Sequence, residues 1–293
     1  TLDKTVADVP ITGNSEGIFG YGGTPGNVSM TNLISNAGVV ATDVTGVGSA
    51  RHSLAACEYG GDKGIFGFGY TSVGTAITNL VSNAGVVGTD VTGVGTGRNW
   101  TAACSFGEDK GIFAFGHDDS TEISVSNLVS NAGVVATDTT GVGTARRRLG
   151  ACEYGSDKGI FGYGTGVTAV TNLVSNVGVV STDVTGVGTA RQTVAACKYG
   201  GDKGIFGYGG AYVSMTNLVS NVGVVATDTT GVGTARNGLG ATQYGTDKGI
   251  FGYGLASSGN VSVTNLVSNA GVVATDVTGV GTARYGLAAC SFN

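Results

Sequence analysis

The residues that could carry acid–base, nucleophilic or metal chemistry are few in this chain. Histidine occurs only at His52 and His117, which leaves little material for His-dependent general-base catalysis or metal ligation. The segment His117-Asp-Asp-Ser-Thr-Glu122 could hold a cation, but it occurs once, and we interpret it as a solvated loop. Gly13-Asn-Ser-Glu-Gly17 has the letters of a nucleophile elbow, which requires a helix after the serine, and a strand pattern follows here. We therefore expect no enzyme, no catalytic residue, no metal and no cofactor.

The cysteines share one equivalent position in a repeated sequence, and Thr242 fills the sixth. They are Cys57, Cys104, Cys152, Cys197 and Cys290. An odd number argues against a complete disulfide set, and zinc sites favour clustered ligands that include His. We interpret the five thiols as small buried groups that behave as apolar side chains.

Arg and Asp recur with a fixed spacing, one Asp eight residues before each Arg. The Arg residues are Arg51, Arg98, Arg146, Arg191, Arg236 and Arg284; the Asp residues are Asp43, Asp90, Asp138, Asp183, Asp228 and Asp276. A planar guanidinium can join several carbonyls or one carboxylate, so we predict that these residues connect neighbouring repeats. The alternative is that each pair forms one of six equivalent ligand sites.

The copies of the repeat differ mainly in two places, which are the pair after each Arg and a loop about twenty residues later. Both contain aromatic and Arg residues, which are frequent anchors of recognition. The candidate ligand-binding residues are His52, Trp100, Arg147, Arg148, Tyr212 and Tyr285. In an up-and-down sheet both connections leave from one face, so the pattern predicts a variable binding face. Simple drift of exposed loops is the alternative.

The repeat itself is marked by the motif Gly-Ile-Phe, which starts at residues 17, 64, 111, 159, 204 and 249. The last copy stops at Leu287-Ala-Ala-Cys-Ser-Phe292, whereas the internal sequence Thr101-Ala-Ala-Cys-Ser-Phe106 continues into Glu108-Asp-Lys-Gly-Ile-Phe113. The matching continuation stands at Asn14-Ser-Glu-Gly-Ile-Phe19. The C-terminal sequence thus completes the N-terminal partial copy in register, as expected for a closed ring.

Each copy reads as four short strands separated by turns rich in Gly, Asn and Asp. In the second copy they are 52–59, 65–68, 76–82 and 86–91. Four antiparallel strands in roughly 45 residues are typical of one β-propeller blade. We predict an all-β, six-bladed β-propeller over residues 14–293, closed by pairing of the C-terminal strand with the N-terminal partial blade, after a lead segment of residues 1–13. A β-solenoid with separate caps is the alternative.

The pattern of Arg, a short apolar strand, a turn, Gly-Ile-Phe-Gly-Tyr-Gly and a polar strand resembles the kelch repeat over residues 14–293. The resemblance implies a propeller. It departs from kelch in lacking the outer-strand Trp and in splitting the paired glycines with Tyr or Phe, and the copper-ligating His and Tyr of kelch oxidases have no counterpart. The repeated sequence Asn-Leu-Val-Ser-Asn-Ala-Gly-Val-Val-Ala-Thr-Asp is also similar to repetitive structural proteins of marine bacteriophages.

Charge and hydropathy restrict the partners. The net charge is −5, and no basic stripe is present, so we expect no nucleic-acid binding. No apolar run approaches the ~18 residues of a membrane helix, so we expect no membrane insertion. We predict a non-catalytic binding or structural module, associated with a virion or tail fibre or otherwise extracellular, that recognises a surface glycan or protein; the lead segment could dock it. A lectin and an enzyme with a site in the central channel are the alternatives.

Overall fold

A computed structural model describes residues 14–293, and this part of the chain contains strands, bridges and turns but no helix. The predicted lead segment, residues 1–13, lies outside the described residues. Six three-stranded antiparallel sheets, here called units, follow the six Gly-Ile-Phe motifs. The strands of the first three units are β1 (Glu16–Gly23), β2 (Asn27–Ile34) and β21 (Ala288–Phe292); β3 (Ala55–Tyr59), β4 (Lys63–Gly67) and β5 (Thr78–Val81); and β6 (Ala102–Phe106), β7 (Lys110–His117) and β8 (Glu122–Val129).

The other three units repeat this arrangement. Their strands are β9 (Gly150–Tyr154), β10 (Lys158–Gly162) and β11 (Thr171–Val174); β12 (Ala195–Tyr199), β13 (Lys203–Gly209) and β14 (Val213–Val219); and β16 (Gly240–Tyr244), β17 (Lys248–Gly252) and β20 (Thr264–Val267). A small extra sheet consists of β15 (Arg236–Asn237), β18 (Leu255–Ala256) and β19 (Gly259–Asn260).

The predicted pairing of the two ends of the repeat region is confirmed. Strand β21 pairs with β1 so that Cys290 faces Ile18, the register that Cys57 and Ile65 adopt in the second unit. The backbone N–H of Ser15 donates to the carbonyl of Asn293 at 3.2 Å. The first unit is therefore assembled from both ends of this region.

The units form a closed cycle. The first strand of each unit contacts the corresponding strand on either side, in the order β3, β6, β9, β12, β16, β21 and back to β3. Backbone bonds of 2.7–3.0 Å connect the turns of neighbouring units: Gly60 to Asp109, Gly107 to Asp157, Gly155 to Asp202, Gly200 to Asp247, Gly245 to Ser15 and Asn293 to Asp62. Six such bonds make the cycle complete, because Asn293 and Ser15 occupy the places that Gly and Asp take elsewhere.

The fourth strand predicted for each repeat is reduced to isolated bridges. In the second unit only Val81–Val87 and Thr78–Val91 pair. The buried side chain of Asn79 lies between these pairs and donates to the Gly88 carbonyl at 3.0 Å. An amide side chain thus replaces one backbone partner, and the ladder is interrupted. The prediction of a continuous strand was wrong because it assigned this Asn no structural role.

Close packing between units explains why Gly-Ile-Phe is constant. A methyl group added to Gly64 would lie 2.4 Å from the Cys290 sulfur of the preceding unit, and one added to Gly67 would lie 2.7 Å from the Phe113 ring of the following unit. The Ile and Phe of the motif are fully buried in all six units. Each sheet therefore packs against both neighbours through small residues that allow close approach.

Candidate binding site at one mouth of the channel

The residue two positions after each framework Arg lies at one mouth of a channel that the first strands line. These residues all have positive φ, between 51° and 62°. They are Ser53, Trp100, Arg148, Thr193, Gly238 and Gly286. Five backbone bonds of 2.6–3.1 Å connect them across units: Ser53 to Gly286, Trp100 to Ser53, Arg148 to Trp100, Thr193 to Arg148, and Gly286 to Gly238. The left-handed conformation directs the backbone N–H and carbonyl groups toward the neighbouring units, and the side chains surround the mouth.

Three aromatic rings surround His52, and two of them, Trp100 and Tyr285, were predicted as ligand-binding residues. The ring centroid of His52 lies 5.9 Å from that of Tyr285, 6.4 Å from Trp100 and 5.4 Å from Tyr70. Nδ1 of His52 is 2.6 Å from the hydroxyl oxygen of Ser53. Burial lowers the pKa of His52 below its ordinary value, which favours the neutral imidazole. The cluster is therefore a half-buried, uncharged aromatic surface at the mouth.

Two adjacent arginines, Arg147 and Arg148, lie at the same mouth. The guanidinium carbon of Arg148 lies 4.9 Å from the ring centroid of Trp100, a cation–π geometry. Burial lowers the pKa of Arg148, the neighbouring Arg147 lowers it further, and Glu122 opposes the shift. Nε of Arg147 is 3.7 Å from the Glu122 carboxylate. The Nε atoms of both arginines are buried and have no hydrogen-bond partner in the structure.

A cavity of about 410 Å³ opens beside this cluster, between the second and third units. Its lining includes His52, Tyr70, Trp100, His117 and Arg147. Asn99 and Asp119 add polar groups to its wall, and the Asn99 amide donates a hydrogen bond to the Asp119 carboxylate at 2.9 Å. The cavity combines aromatic surface with donors and acceptors, the composition usual for a small-ligand site.

The two variable segments meet here, as bridges join His52 to Tyr70, Asn99 to His117 and Gly23 to Tyr285. Tyr212 is apart from the cluster: it lies between β13 and β14, is 37% exposed and lines neither the channel nor this cavity. The acidic segment after His117 makes its own turn, since Asp118 accepts from the backbone N–H groups of Ser120 and Thr121. Of the six candidate ligand residues, the structure brings together all but Tyr212.

The six framework Arg residues are at most 2% exposed. In each unit Nε donates to a backbone carbonyl at 2.7–2.9 Å, and Nη2 donates to an Asn side chain at 2.6–2.8 Å. Each guanidinium also lies 4.0–4.5 Å from the centroid of an aromatic ring in the preceding unit. These donors are already engaged, so the alternative of six equivalent ligand sites is not favoured.

The partner that the sequence analysis missed is a fully buried Asn in every unit. The six are Asn32, Asn79, Asn127, Asn172, Asn217 and Asn265, all 0% exposed. Each donates to an Asp eleven residues later at 2.8–2.9 Å, so Arg and Asp are connected mainly through Asn. An invariant Asn before Leu in every copy was the available signal.

Each Arg is connected through Asn to an Asp of its own unit. Asn79 thus joins Arg51 to Asp90, and Asn32 joins Arg284 to Asp43. Three of the six direct Arg–Asp approaches reach 3.8–4.0 Å. Burial tends to raise the pKa of Asp90, but hydrogen bonds from the Ser49 hydroxyl, the Asn79 amide and the Ser49 backbone outweigh it and lower the pKa. The other five Asp residues show the same balance.

All five cysteines are buried free thiols, and burial raises their pKa values. A raised thiol pKa disfavours the thiolate that nucleophiles and metal sites require. Among residues 14–293 no group of three or more His, Cys, Asp or Glu side chains is arranged to hold a metal ion.

Six alanines separate this mouth from the other end of the channel. They are Ala56, Ala103, Ala151, Ala196, Ala241 and Ala289, and they line both the upper cavity, of about 100 Å³, and a lower one of about 60 Å³. The lower cavity is bordered by the residue after the Cys or Thr in five units: Glu58, Ser105, Glu153, Lys198 and Gln243. The sixth equivalent, Ser291, is fully buried and donates to Glu58. The sequence analysis did not single out this position, whose side chains differ between copies although its neighbours scarcely do.

No helix in the described part of the chain could cross a bilayer. No protein-family model matches this chain, and no curated protein matches it either. Residues 14–293 form an all-β protein of six antiparallel sheets in a cycle closed by β1 and β21, with different aromatic, Arg and polar side chains at one mouth.

Proposed function

We propose that the cycle of sheets is a six-bladed β-propeller, with kelch-like blades, that acts as a non-catalytic binding module for a surface glycan. The three paired strands of each unit correspond to the inner strands of a blade, and the bridged segment corresponds to its outer edge. The closed order of the first strands supports a propeller over a solenoid, because a solenoid has two free ends.

The binding function is supported by a contrast in sequence: the Arg, Asn and Asp framework is repeated in every unit, whereas the residues at the mouth differ between units. Arg, Asn and Asp repeat in all six units, whereas the mouth holds His52, Trp100 and Arg147 once each. A single asymmetric cavity on a nearly symmetric frame is suited to one specific ligand. The repeated framework residues would keep the site rigid, and the residues that occur only once at the mouth would make it selective.

A carbohydrate fits the chemistry of the cavity. Sugar rings present apolar faces that can pack on Trp100 or His52, and their hydroxyls both donate and accept hydrogen bonds. The Asp119 carboxylate and the Arg147 guanidinium provide an acceptor and a donor along the same cavity. A wider setting as a virion or tail-fibre component, consistent with the resemblance of the repeats to bacteriophage structural proteins, would place such a site against a host surface.

A glycan array probed with the purified protein tests this function. We expect selective binding that Trp100→Ala weakens by roughly 30-fold or more, the loss typical of an aromatic hot spot. Tyr212→Ala is the matched control, because it removes an exposed aromatic residue outside the cavity, and it should bind as the parent does. Equal loss in both variants, or absence of binding together with turnover on a substrate panel, would contradict the proposal.

A further inference from the structure

The end of the channel opposite the aromatic mouth has more hydrogen-bond acceptors than its protein donors satisfy. Lys198 donates to Glu153 at 2.9 Å, and both side chains are largely buried. Glu58 lies in the same channel end and receives a hydrogen bond from the Ser291 hydroxyl, a neutral donor. The six equivalent positions of this end therefore include two carboxyl groups and one ammonium, and the Glu58 carboxyl has no directly bound cationic partner.

Two buried amides add acceptors that have no donor. Gln243 lines the lower cavity and is 3% exposed, and its Oε1 has no hydrogen-bond partner in the structure. Asn14 is 2% exposed, and its Oδ1 is likewise without a partner. Burial raises the pKa of Glu58, and Lys198, Ser291 and the neighbouring Asn14 amide oppose that rise without cancelling it. Leaving such oxygens unpaired costs free energy, which a bound donor or cation would recover.

We propose that this end of the channel binds one monovalent alkali cation, Na⁺ or K⁺, through the Glu58 carboxylate and Gln243 Oε1, with Asn14 beside them. The cavity, about 60 Å³, exceeds the roughly 10–15 Å³ of accessible volume that one water requires, so an ion can enter with water ligands. Calcium sites usually combine several carboxylates, whereas here a single carboxylate lacks a cation.

Two other arrangements of the lower cavity would need no alkali cation. Water alone could donate to the amide oxygens beside a protonated Glu58, and this arrangement predicts the same Tm in every salt. Lys198 lies close enough to both carboxylates for them to outweigh burial and raise its pKa, yet its direct contact is with Glu153. An alkali cation at Glu58 would instead pair with an ionised carboxylate and with the unpaired amide oxygens.

The first test measures thermal unfolding of the full chain in NaCl, KCl or N-methylglucamine chloride at a constant ionic strength of about 0.1 M. A ligand that binds only the folded state raises Tm, so we expect a Tm roughly 2–4 °C higher in at least one alkali salt than in the organic salt. Glu58→Gln should abolish the difference. Glu108→Gln removes an exposed carboxylate from the turn after β6 and should retain it.

Gln243→Lys supplies a second test, because its ammonium would occupy the cation position. This variant should fold and show the same Tm in alkali and organic salts. If Glu58→Gln fails to fold, Gln243→Lys decides the matter, together with the position of Tl⁺ in crystals of the parent protein. A Tl⁺ anomalous peak beside Glu58 and Gln243 supports the site.

Identical Tm values in all three salts, together with no Tl⁺ peak in the lower cavity, would overturn the proposal. The glycan proposal is tested separately, because its residues lie beyond the six alanines at the other mouth. Loss of glycan binding in Trp100→Ala should leave the salt dependence of Tm unchanged. Failure of one proposal therefore does not imply failure of the other.

Discussion

Backbone conformation at single residues determines how the aromatic side chains reach their positions. The aromatic residue within Gly-Tyr-Gly or its Phe equivalent has φ of 62–65° in every unit, and the Gly after it also has a positive φ, of 97–126°. These residues are Tyr21, Phe68, Phe115, Tyr163, Tyr208 and Tyr253. The bulge turns each ring toward the next unit, where a framework Arg lies over it. The strain of a left-handed aromatic residue is offset by that contact and by burial.

Thr193 provides a residue-scale prediction. It is β-branched at φ 59°, where its equivalent in the next unit is Gly238 at φ 61°. A left-handed conformation costs an L-residue about 1–2 kcal/mol, so Thr193→Gly should raise the free energy of unfolding by about 1 kcal/mol. Gly238→Thr should lower it by a similar amount, since a Cβ there meets no heavy atom closer than 3.4 Å and backbone strain is the main effect.

Urea unfolding of the two variants and the parent measures both changes. Opposite signs are expected. If both variants lose stability, the Thr193 side chain must contribute more than its backbone conformation costs, and the strain argument fails.

At the scale of the sheet, the buried Asn connects three parts of each unit. Asn127 accepts from Arg98 at 2.7 Å and donates to Asp138 at 2.8 Å and to the Ala136 carbonyl at 2.9 Å. It thereby attaches the bridged outer segment to β8. The outer segment has exposed valines such as Val134, at 66%, so hydrogen bonds hold it more than apolar burial does.

Asn127→Ala should therefore destabilise the protein by about 3 kcal/mol or more, because it leaves a buried Arg donor and an Asp acceptor without their partner. Asn131→Ala is the matched control, because its one side-chain bond, to Asp109, is exposed, and its effect should be within about 0.5 kcal/mol. Denaturant unfolding measures both. Equal effects would show that the buried amide has no special role.

Acid should weaken the same connection. Hydrogen bonds from Thr96 and Asn127 outweigh burial and lower the folded-state pKa of Asp138, so its contribution is present above the unfolded-state pKa of about 3.9 and is lost as pH falls through the folded-state value. We expect a smaller fall in stability between about pH 5 and pH 3 for Asp138→Asn than for the parent. Urea midpoints at the two pH values give the comparison, and parallel falls would count against it.

The sequence predicted the frame better than the interior of the channel. The Gly-Ile-Phe period and the split copy were sufficient to predict the pairing of β1 with β21, because register follows the repeat. They did not reveal the fourth-strand interruption, which depends on one Asn side chain, or the polar lower end, where Glu58 and Lys198 read as ordinary exposed positions of an alternating strand. Tyr212 was grouped with the mouth because it is aromatic and lies in a variable loop expected on the same face, whereas its position outside the cavity depends on loop geometry.

For the whole molecule, the closure permits a circular permutation without a linker. Asn293 has φ 78°, comparable to the 65° of Gly60, its equivalent in the second unit. Joining Asn293 directly to Asn14 would reproduce the turn that Gly60 and Gly61 make, because Asn293 and Ser15 already form the cross-unit bonds of that turn.

A permutant that begins at Gly61, ends at Gly60 and contains this junction should fold with a stability within about 1 kcal/mol of residues 14–293 in their native order. A chain that stops before β21 should not unfold cooperatively, because β1 would lose one of its two partner strands and the cycle would open. Size-exclusion chromatography with denaturant unfolding tests both. A permutant that aggregates would contradict the equivalence of the six turns.

The first unit combines strands from distant parts of the sequence, so its sheet can be completed only late in translation. Tyr21 emerges from the ribosome 263 residues before Arg284, whose guanidinium donates to its carbonyl. At about 5–20 residues per second, that interval is roughly 13–53 s. Throughout it the nascent chain has five complete sheets at most and two unsatisfied borders, so binding by chaperones that protect strand edges should be strongest late in translation and should end when residues 288–292 appear.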